Sequence, residues 1–411
     1  MKFSDLAFLL EHLASTTKRT EMVELCSDFL RRVSAPELEP AIRMLLGQPF
    51  LPHSADKLNV SWATVRDVVL RVSGASEGEL FRAFRESGDL GEAVRQVFET
   101  HKRKQRPLVE HPMDITGVFQ ILVKVAEAKG PKARERKERL LEGLFARATP
   151  LEAKYLTKVI GGEMRTGFRE GMVEQAIARA FVVPEDLVRR ARMFIGDIAR
   201  VALIASQEGV RGLQKVRPEL FTPVGFMLAQ TARSINECLE IHGGRMALEF
   251  KFDGARVQIH KRDTTVRIFS RRMADVAPSM PDIAQLVQQE LSATEAIVEG
   301  EVIAVDSAGR PRPFQILLHR FRRERRIEAL VKEIPLQLYL FDLLYLNGEP
   351  LVDSPYHERR QKLAEIAGSI PLSPQLMVSD SAEGERFLNQ AIQLGHEGLV
   401  AKKLDAPTLQ G

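Results

Sequence analysis

Glu249-Phe250-Lys251-Phe252-Asp253-Gly254-Ala255-Arg256-Val257-Gln258-Ile259-His260 is the stretch on which the reading of this chain turns. Taken as a strand with period two, Glu249, Lys251 and Asp253 share one face, and Leu248, Phe250 and Phe252 share the other. Charged side chains in register, backed by large apolar ones, fit the wall of a polar pocket sealed against a core. A solvated edge hairpin is the plainer alternative. Gly254 reads as a turn, after which Arg256, Gln258 and His260 alternate with Ala255, Val257 and Ile259 in a second strand. From residue 245 onward, strands with intervening helices predict an α+β domain.

Toward the N-terminus the period changes to that of helices. Phe3, Leu6, Leu9 and Leu10 recur at helical spacing, as do Met22, Leu25, Phe29 and Leu30. Between them Ser15-Thr16-Thr17-Lys18-Arg19 offers hydroxyls suited to capping a helix, followed by positive charge that a phosphate could meet. The basic stretch from His101 to Pro107 reads as a loop, and the charged run from Lys129 to Arg139 as a solvated helix face. A helix then ends at Gly161-Gly162, and Arg165-Thr166-Gly167 follows. A glycine there lets backbone approach a partner closely, and an adjacent arginine can enter a minor groove or hold a phosphate. Prolines at 218 and 223 and a loss of helical period mark a linker, expected over residues 211–230.

Length and composition bound these readings. The 411 residues allow two or three domains, and 44% hydrophobic with 28% charged residues is ordinary for a globular chain. A formal charge of +4, from 59 basic and 55 acidic residues, does not demand a polyanion, so any basic surface is local. Cys26 and Cys238 suggest neither a disulfide framework nor a metal cluster. No signal peptide and no membrane-spanning run is visible, so the expectation is a soluble intracellular protein, in cytoplasm, nucleoid or nucleus.

Further stretches recur downstream of the opening one. They are Ile268-Phe269-Ser270-Arg271-Arg272, Val298-Glu299-Gly300-Glu301, Tyr339-Leu340-Phe341-Asp342-Leu343 and Glu397-Gly398-Leu399-Val400-Ala401-Lys402. The run from His319 to Arg326 holds the densest positive charge, a candidate for duplex-backbone contact or a solvated helix. In that order and spacing, Glu-x-Lys-x-Asp-Gly-x-Arg and the stretches after it resemble the motifs of ATP-dependent DNA ligases, with the related mRNA-capping enzymes as a second match for the core. Residues 1 to about 210 resemble the all-helical DNA-binding domain of the archaeal and eukaryotic-type ligases, which capping enzymes lack.

The resemblance implies an all-α DNA-binding domain over residues 1–210, a linker, and an α+β nucleotidyltransferase (adenylation) domain over 231–411. It implies Lys251 as the nucleophile that takes AMP from ATP, with Asp253 beside it orienting the amine or a metal-bound water. Glu249 would read the adenine amino group, Arg256 would contact ribose or phosphate, and Phe341 would stack on adenine. Arg271 would meet the nucleotide and the nick phosphate, and Lys402 a phosphate. Glu301 would bind ribose or Mg²⁺, and Glu397 would be a second Mg²⁺ ligand. Arg165, Thr166, Gly167, Arg271 and Arg320 would contact DNA. Two departures stand out: Glu299 replaces the commoner Asp, and Ala274 and Ala277 replace an acidic residue and a threonine, with Asp275 kept.

Implied throughout is a monomeric enzyme that seals nicks in duplex DNA, with ATP and Mg²⁺, in replication, repair or recombination and with no membrane partner. Ligases of this kind continue into an OB-fold domain, absent here, so a truncated and weakly active form is expected. A capping-type or RNA-joining transferase, and a non-catalytic remnant that binds nicks or duplex, are the alternatives.

Overall fold

The computed structural model describes residues 1–51, 54, 56–101, 112–321 and 327–408. The basic stretch at 102–107 and Arg322 to Arg326 therefore lie outside the described residues. Two compact units emerge: Met1–Arg192 with Asp197–Val216, and Met193–Gly196 with Arg217–Gly411. Among the described residues no helix is long and apolar enough to cross a membrane.

The first unit is helical throughout its described residues. Its helices are α1 (Phe3–Ser15), α2 (Arg19–Arg32), α3 (Ala35–Leu45), α4 (Trp62–Ser73), α5 (Glu77–Ser87), α6 (Leu90–Thr100), α7 (Ile115–Glu127), α8 (Ala133–Phe145), α9 (Pro150–Gly161), α10 (Glu170–Phe181), α11 (Glu185–Ile195) and α12 (Ile198–Lys215). Each amphipathic stripe turns inward, so that Phe3, Leu6, Leu10, Phe29, Leu30 and Phe145 are all buried. The cap expected from Ser15 and its neighbours forms otherwise. Lys18 is the residue before α2 and makes no side-chain cap bond, while the Thr16 hydroxyl donates to Glu21 at 2.8 Å. The hydroxyls fall too early in the chain to reach the first free amides of the helix. In the charged run, Arg134 pairs with Asp67 and Glu138, and Lys137 is buried with its ammonium on the Leu58 and Asn59 carbonyls.

The second unit is α+β. Its elements are α13 (Ile235–Ile241), β1 (Met246–Lys251), β2 (Ala255–Arg262), β3 (Thr265–Ser270), α14 (Pro281–Glu290), β4 (Glu295–Ala304), α15 (Phe314–Phe321), α16 (Ile327–Glu333), β5 (Leu336–Leu346), β6 (Glu349–Pro350), α17 (Tyr356–Ile366), β7 (Gln375–Val378), α18 (Ser381–Gln393) and β8 (Gly398–Lys402). They form two sheets, one ordered β7-β1-β8 and the other β3-β2-β4-β5-β6. The opening stretch is therefore not a hairpin: β1 and β2 do not pair, and the chain crosses from one sheet to the other between Lys251 and Ala255. Gly254 sits at this crossing for lack of room rather than for a turn. A Cβ there would lie 2.6 Å from the Val302 carbonyl oxygen of β4 and 2.9 Å from Glu301 Cγ. Val257, Ile259, Ile268, Val298, Leu338 and Leu343 build the core of the larger sheet with α14 and α17, and Met246, Leu248, Phe250, Phe252 and Phe387 that of the smaller.

Candidate active site

Lys251 is the last residue of β1, where the strand leaves its sheet, and its side chain is 52% exposed. The Glu397 amide donates to the Lys251 carbonyl at 2.9 Å, which brings the Glu397 carboxylate into an ion pair with the Lys251 ammonium. On the apolar side, Phe252 stacks on Tyr339 with centroids 4.5 Å apart, and Phe250 packs on Phe387 at 4.8 Å. These rings fix the strand from which the amine projects. Asp253 lies beyond the strand end. Its carboxylate accepts from the Phe314 amide at 3.3 Å, at the first turn of α15, a favourable place for an anion.

Across the crossing, Arg256 donates to Glu299 at 2.7 Å and to the Met227 carbonyl at 2.7 Å. Its guanidinium lies 5.0 Å from the Phe226 ring and 5.4 Å from the Phe341 ring, both within cation–π range. Its Nε is buried and has no partner within the chain. Glu301 stands opposite Arg256 in the β2–β4 ladder. Burial pushes the Glu301 carboxyl up to about 8, against the pull of Arg256 and Lys251 and helped by the charges of Asp253 and Glu299. Glu299, the departure from the commoner Asp, is buried and spans Arg256 and the Gln258 amide.

Phe341 owes its position to a bulge. In the β4–β5 ladder Glu299 faces Asp342 and Gly300 faces Leu340, so Phe341 is left without a partner and the alternation of β5 is broken there. Asp342 beside it is held by both arms of Arg359 from α17, at 2.8 and 2.9 Å. The Lys402 ammonium lies 4.8 Å from the Phe341 ring. Rather than standing free for a phosphate, it donates to Glu249 at 2.6 Å. Glu249 itself is buried among Lys402, Tyr356 and Gln375. Lys251, Asp253, Glu301, Arg256, Phe341, Lys402 and Glu249 thus form one connected patch around the crossing from β1 to β2. Arg271 is exposed at the end of β3, in a turn where Ser270 and Ala274 hydrogen-bond across Met273 at φ 60°.

Two of the residues expected to meet DNA are buried in this structure. Arg320 is fully buried, donating to the Ser279 and Ile334 carbonyls and pairing with Asp282, so it fastens α15 into the domain. An arginine in a basic run reads as surface, but its carbonyl acceptors come from distant sequence. Thr166 is likewise buried, its hydroxyl accepting from the Phe168 amide at 3.3 Å. Its neighbour Arg165 is 56% exposed with φ 50°, and donates to the Gly88 carbonyl at 2.8 Å; Gly167 takes φ 72°. Arg165 also pairs with Glu163 at 3.0 Å, and Glu163 and Arg169 are exposed in the same loop.

Sequence reasoning missed the side chains behind the patch, above all Tyr356, Gln375, Arg359 and the pair Gln258 and His260. The alternation of β2 carried a signal for the last two, read as one polar face without a partner.

A connected cluster of one exposed lysine, several carboxylates, an arginine and an aromatic platform, on a two-sheet α+β domain that follows a helical one, defines a nucleotidyltransferase with an added helical domain. Family profiles agree: one described as "ATP dependent DNA ligase domain" matches residues 226–410, and one described as "DNA ligase N terminus" matches residues 2–178. The "DNA ligase" of Thermococcus fumicolans is 42% identical over 99% of this chain and 73% of the relative. "DNA ligase 1" of Korarchaeum cryptofilum (strain OPF8) is 41% identical over 100% of this chain and 73% of its own length. A solved structure described as "Pmar-Lig_Pre." shares the fold, with a TM-score of 0.53 and 14% identity over 98% of this chain and 74% of that one. The chain belongs to the ATP-dependent DNA ligase family, and it spans nearly three quarters of the length of these relatives.

Proposed function

We propose that this chain seals nicks in duplex DNA through an AMP carried on Lys251. The neutral Lys251 amine attacks the α-phosphorus of ATP; a P–N bond forms, the bond to pyrophosphate breaks, and the amine sheds a proton. AMP then passes to the 5′-phosphate of the nick, and the 3′-hydroxyl displaces it. The observation that carries this reading is the placing of Lys251: half exposed at a strand end, in contact with Glu397 and close enough to Glu301 to influence its proton.

The residues around it suit a nucleotide. Phe341 is a half-buried ring, freed from the strand pattern, with two cations over it. The buried, unpartnered Nε of Arg256 leaves a donor for a ribose or phosphate oxygen. Among the described residues no group of three His, Cys, Asp or Glu side chains is placed to hold a metal by protein ligands alone. That suits Mg²⁺ held by one or two carboxylates, Glu301 and Glu397, together with substrate phosphates. When bound there it would neutralise charge developing on the transferred phosphate. In the helical domain Arg165 would supply a phosphate or minor-groove contact, and in the α+β domain Arg271 would contact the nick phosphate.

The test is labelling. Incubation with ATP radiolabelled at the α-phosphate, followed by a denaturing gel, is expected to mark the wild-type chain and leave Lys251→Ala blank. Label on the variant would refute the assignment. Wild-type protein that binds nicked duplex tightly yet takes no label would point instead to a binding protein.

A further inference from the structure

Glu249 is 2% exposed, yet it is surrounded by donors on three elements. Tyr356, the first residue of α17, donates its hydroxyl proton to Glu249 Oε1. Gln375, the first residue of β7, donates from Nε2 to the Tyr356 oxygen at 2.6 Å and toward Glu249 Oε1 at 3.4 Å. Lys402 from β8 donates to Glu249 Oε2 at 2.6 Å. The direction of every bond in this chain is fixed. An ionised carboxylate only accepts, so the single tyrosine proton must point at Glu249, and the tyrosine oxygen is then free to accept from Gln375. Burial and the Glu249 charge both push the Tyr356 phenol up, which keeps that proton in place.

The anchor of Tyr356 is also independent of any ligand. Helix α17 is locked to β5 by the two-armed Arg359–Asp342 pair and by Arg360, which donates to the Leu340 and Ser373 carbonyls. A carboxylate offers roughly four acceptor positions. Tyr356 and Gln375 donate to Oε1, which the Arg360 guanidinium also faces at 3.7 Å, and Lys402 donates to Oε2, so the position left open is on Oε2. What remains is an acceptor whose direction the protein has already set.

We propose that Tyr356 and Gln375 are specificity-determining positioning residues: they aim Glu249 so that the pocket takes a purine carrying an exocyclic amine and rejects one lacking it. This rests on the reading of Glu249 as the contact to the base. A keto group at the same edge would set acceptor against acceptor, and a bare C–H would leave the buried carboxylate position unfilled. In either case the loss falls on the base and not on the phosphate.

Equilibrium titration with AMP and with purine riboside 5′-monophosphate, which lacks only the amine, separates the possibilities without any covalent chemistry. Wild-type protein is expected to prefer AMP by about tenfold. Tyr356→Phe is expected to bring that ratio to within about twofold by weakening AMP alone, because the loss is of one bond to a charged acceptor. Gln375→Met, which spares the phenol, is expected to fall between the two. Equal weakening of both ligands in Tyr356→Phe, or an unchanged ratio in both variants, overturns the proposal while leaving Glu249 as the base contact. A wild-type ratio near one overturns the reading of Glu249 itself, and this proposal with it.

Discussion

Two neighbouring strands carry alternating polar residues on either side of Gly254, and they use them in opposite ways. On β1 the charges run outward along the strand, from buried Glu249 to Lys251 at 52% exposure. On β2 the polar side chains are turned into the domain and spent on the protein's own backbone. His260 Nδ1 accepts from the Phe221 amide at 2.8 Å. Gln258 Oε1 accepts from the Val224 amide at 2.7 Å, and its Nε2 donates to the Val224 carbonyl at 3.1 Å. Arg256 donates to the Met227 carbonyl. Alternate residues of the strand thus grip every third residue of the segment from Phe221 to Met227. The lesson is that a polar stripe on a strand has two uses, presenting groups outward and clamping backbone, and Arg256, which holds the Met227 carbonyl with its Nε left unpartnered, stands between them.

The sharpest way to test that contrast is to remove one member from each strand. Lys251→Ala is expected to lose adenylate labelling altogether while leaving the thermal unfolding of the domain within about 0.5 kcal/mol of wild type, because a half-exposed ion pair adds little stability. Gln258→Leu is expected to do the reverse in kind. It strands the Val224 amide and carbonyl, the His260 ring and one side of Glu299, and should destabilise the domain by about 3 kcal/mol. Calorimetry on both variants decides. A silent Gln258→Leu would show that the clamp carries no stability, and a strongly destabilised Lys251→Ala would make β1 structural as well.

How much of this was legible in the sequence follows the same divide. The helical and α+β halves could be read from period alone, since each amphipathic stripe repeats over many turns or strands. The family could be recognised from the motif stretches on β1, β4, β5 and β8 because each is short and local in sequence. The partition of residues 249–260 between two sheets could not, because which strand pairs with which is decided by distant segments: β8 and β7 for one, β4 for the other. Nor could the burial of Arg320, whose partners Ser279, Asp282 and Ile334 lie on both sides of it in sequence. Phe341 lies in β5, but the bulge that frees its ring depends on the register of β4.

Gly254 is where the two strands meet, so a change there should disturb both uses at once. Gly254→Ala drives a methyl against the Val302 carbonyl at 2.6 Å, and a backbone atom in a paired strand cannot rotate away. The expected cost is roughly 1–3 kcal/mol of stability together with weaker labelling, because the shift moves Glu301 and the strand end carrying Lys251. Loss of labelling without loss of stability would mean that the glycine serves only the ligand, and would sharpen the contrast instead of blurring it.

Protons act on His260 and Glu301 in opposite senses. Burial lowers His260 from 6.5 to about 3, and the geometry gives the reason: its Nδ1 accepts from the Phe221 amide, so a proton there would face another N–H. Between pH 6.5 and about 3 the unfolded chain binds a proton at this residue that the folded chain refuses. The His260 contribution is therefore fully present above pH 6.5 and is lost as pH falls, by at most ~1.4 kcal/mol per pH unit. Glu301 acts in the opposite sense. Raised from 4.5 to about 8, it holds a proton in the folded state that the unfolded chain releases, so its contribution is lost as pH rises between those values. From pH 4.5 to 6.5 the two trends offset each other in the wild type, and only a difference between proteins isolates the histidine. Hydrogen exchange of the peptide covering residues 219–227, corrected for intrinsic rates, should show protection that falls with acid more steeply in wild type than in His260→Asn. Parallel pH profiles for the two proteins would mean that His260 is not the proton-sensitive rung of the β2 clamp.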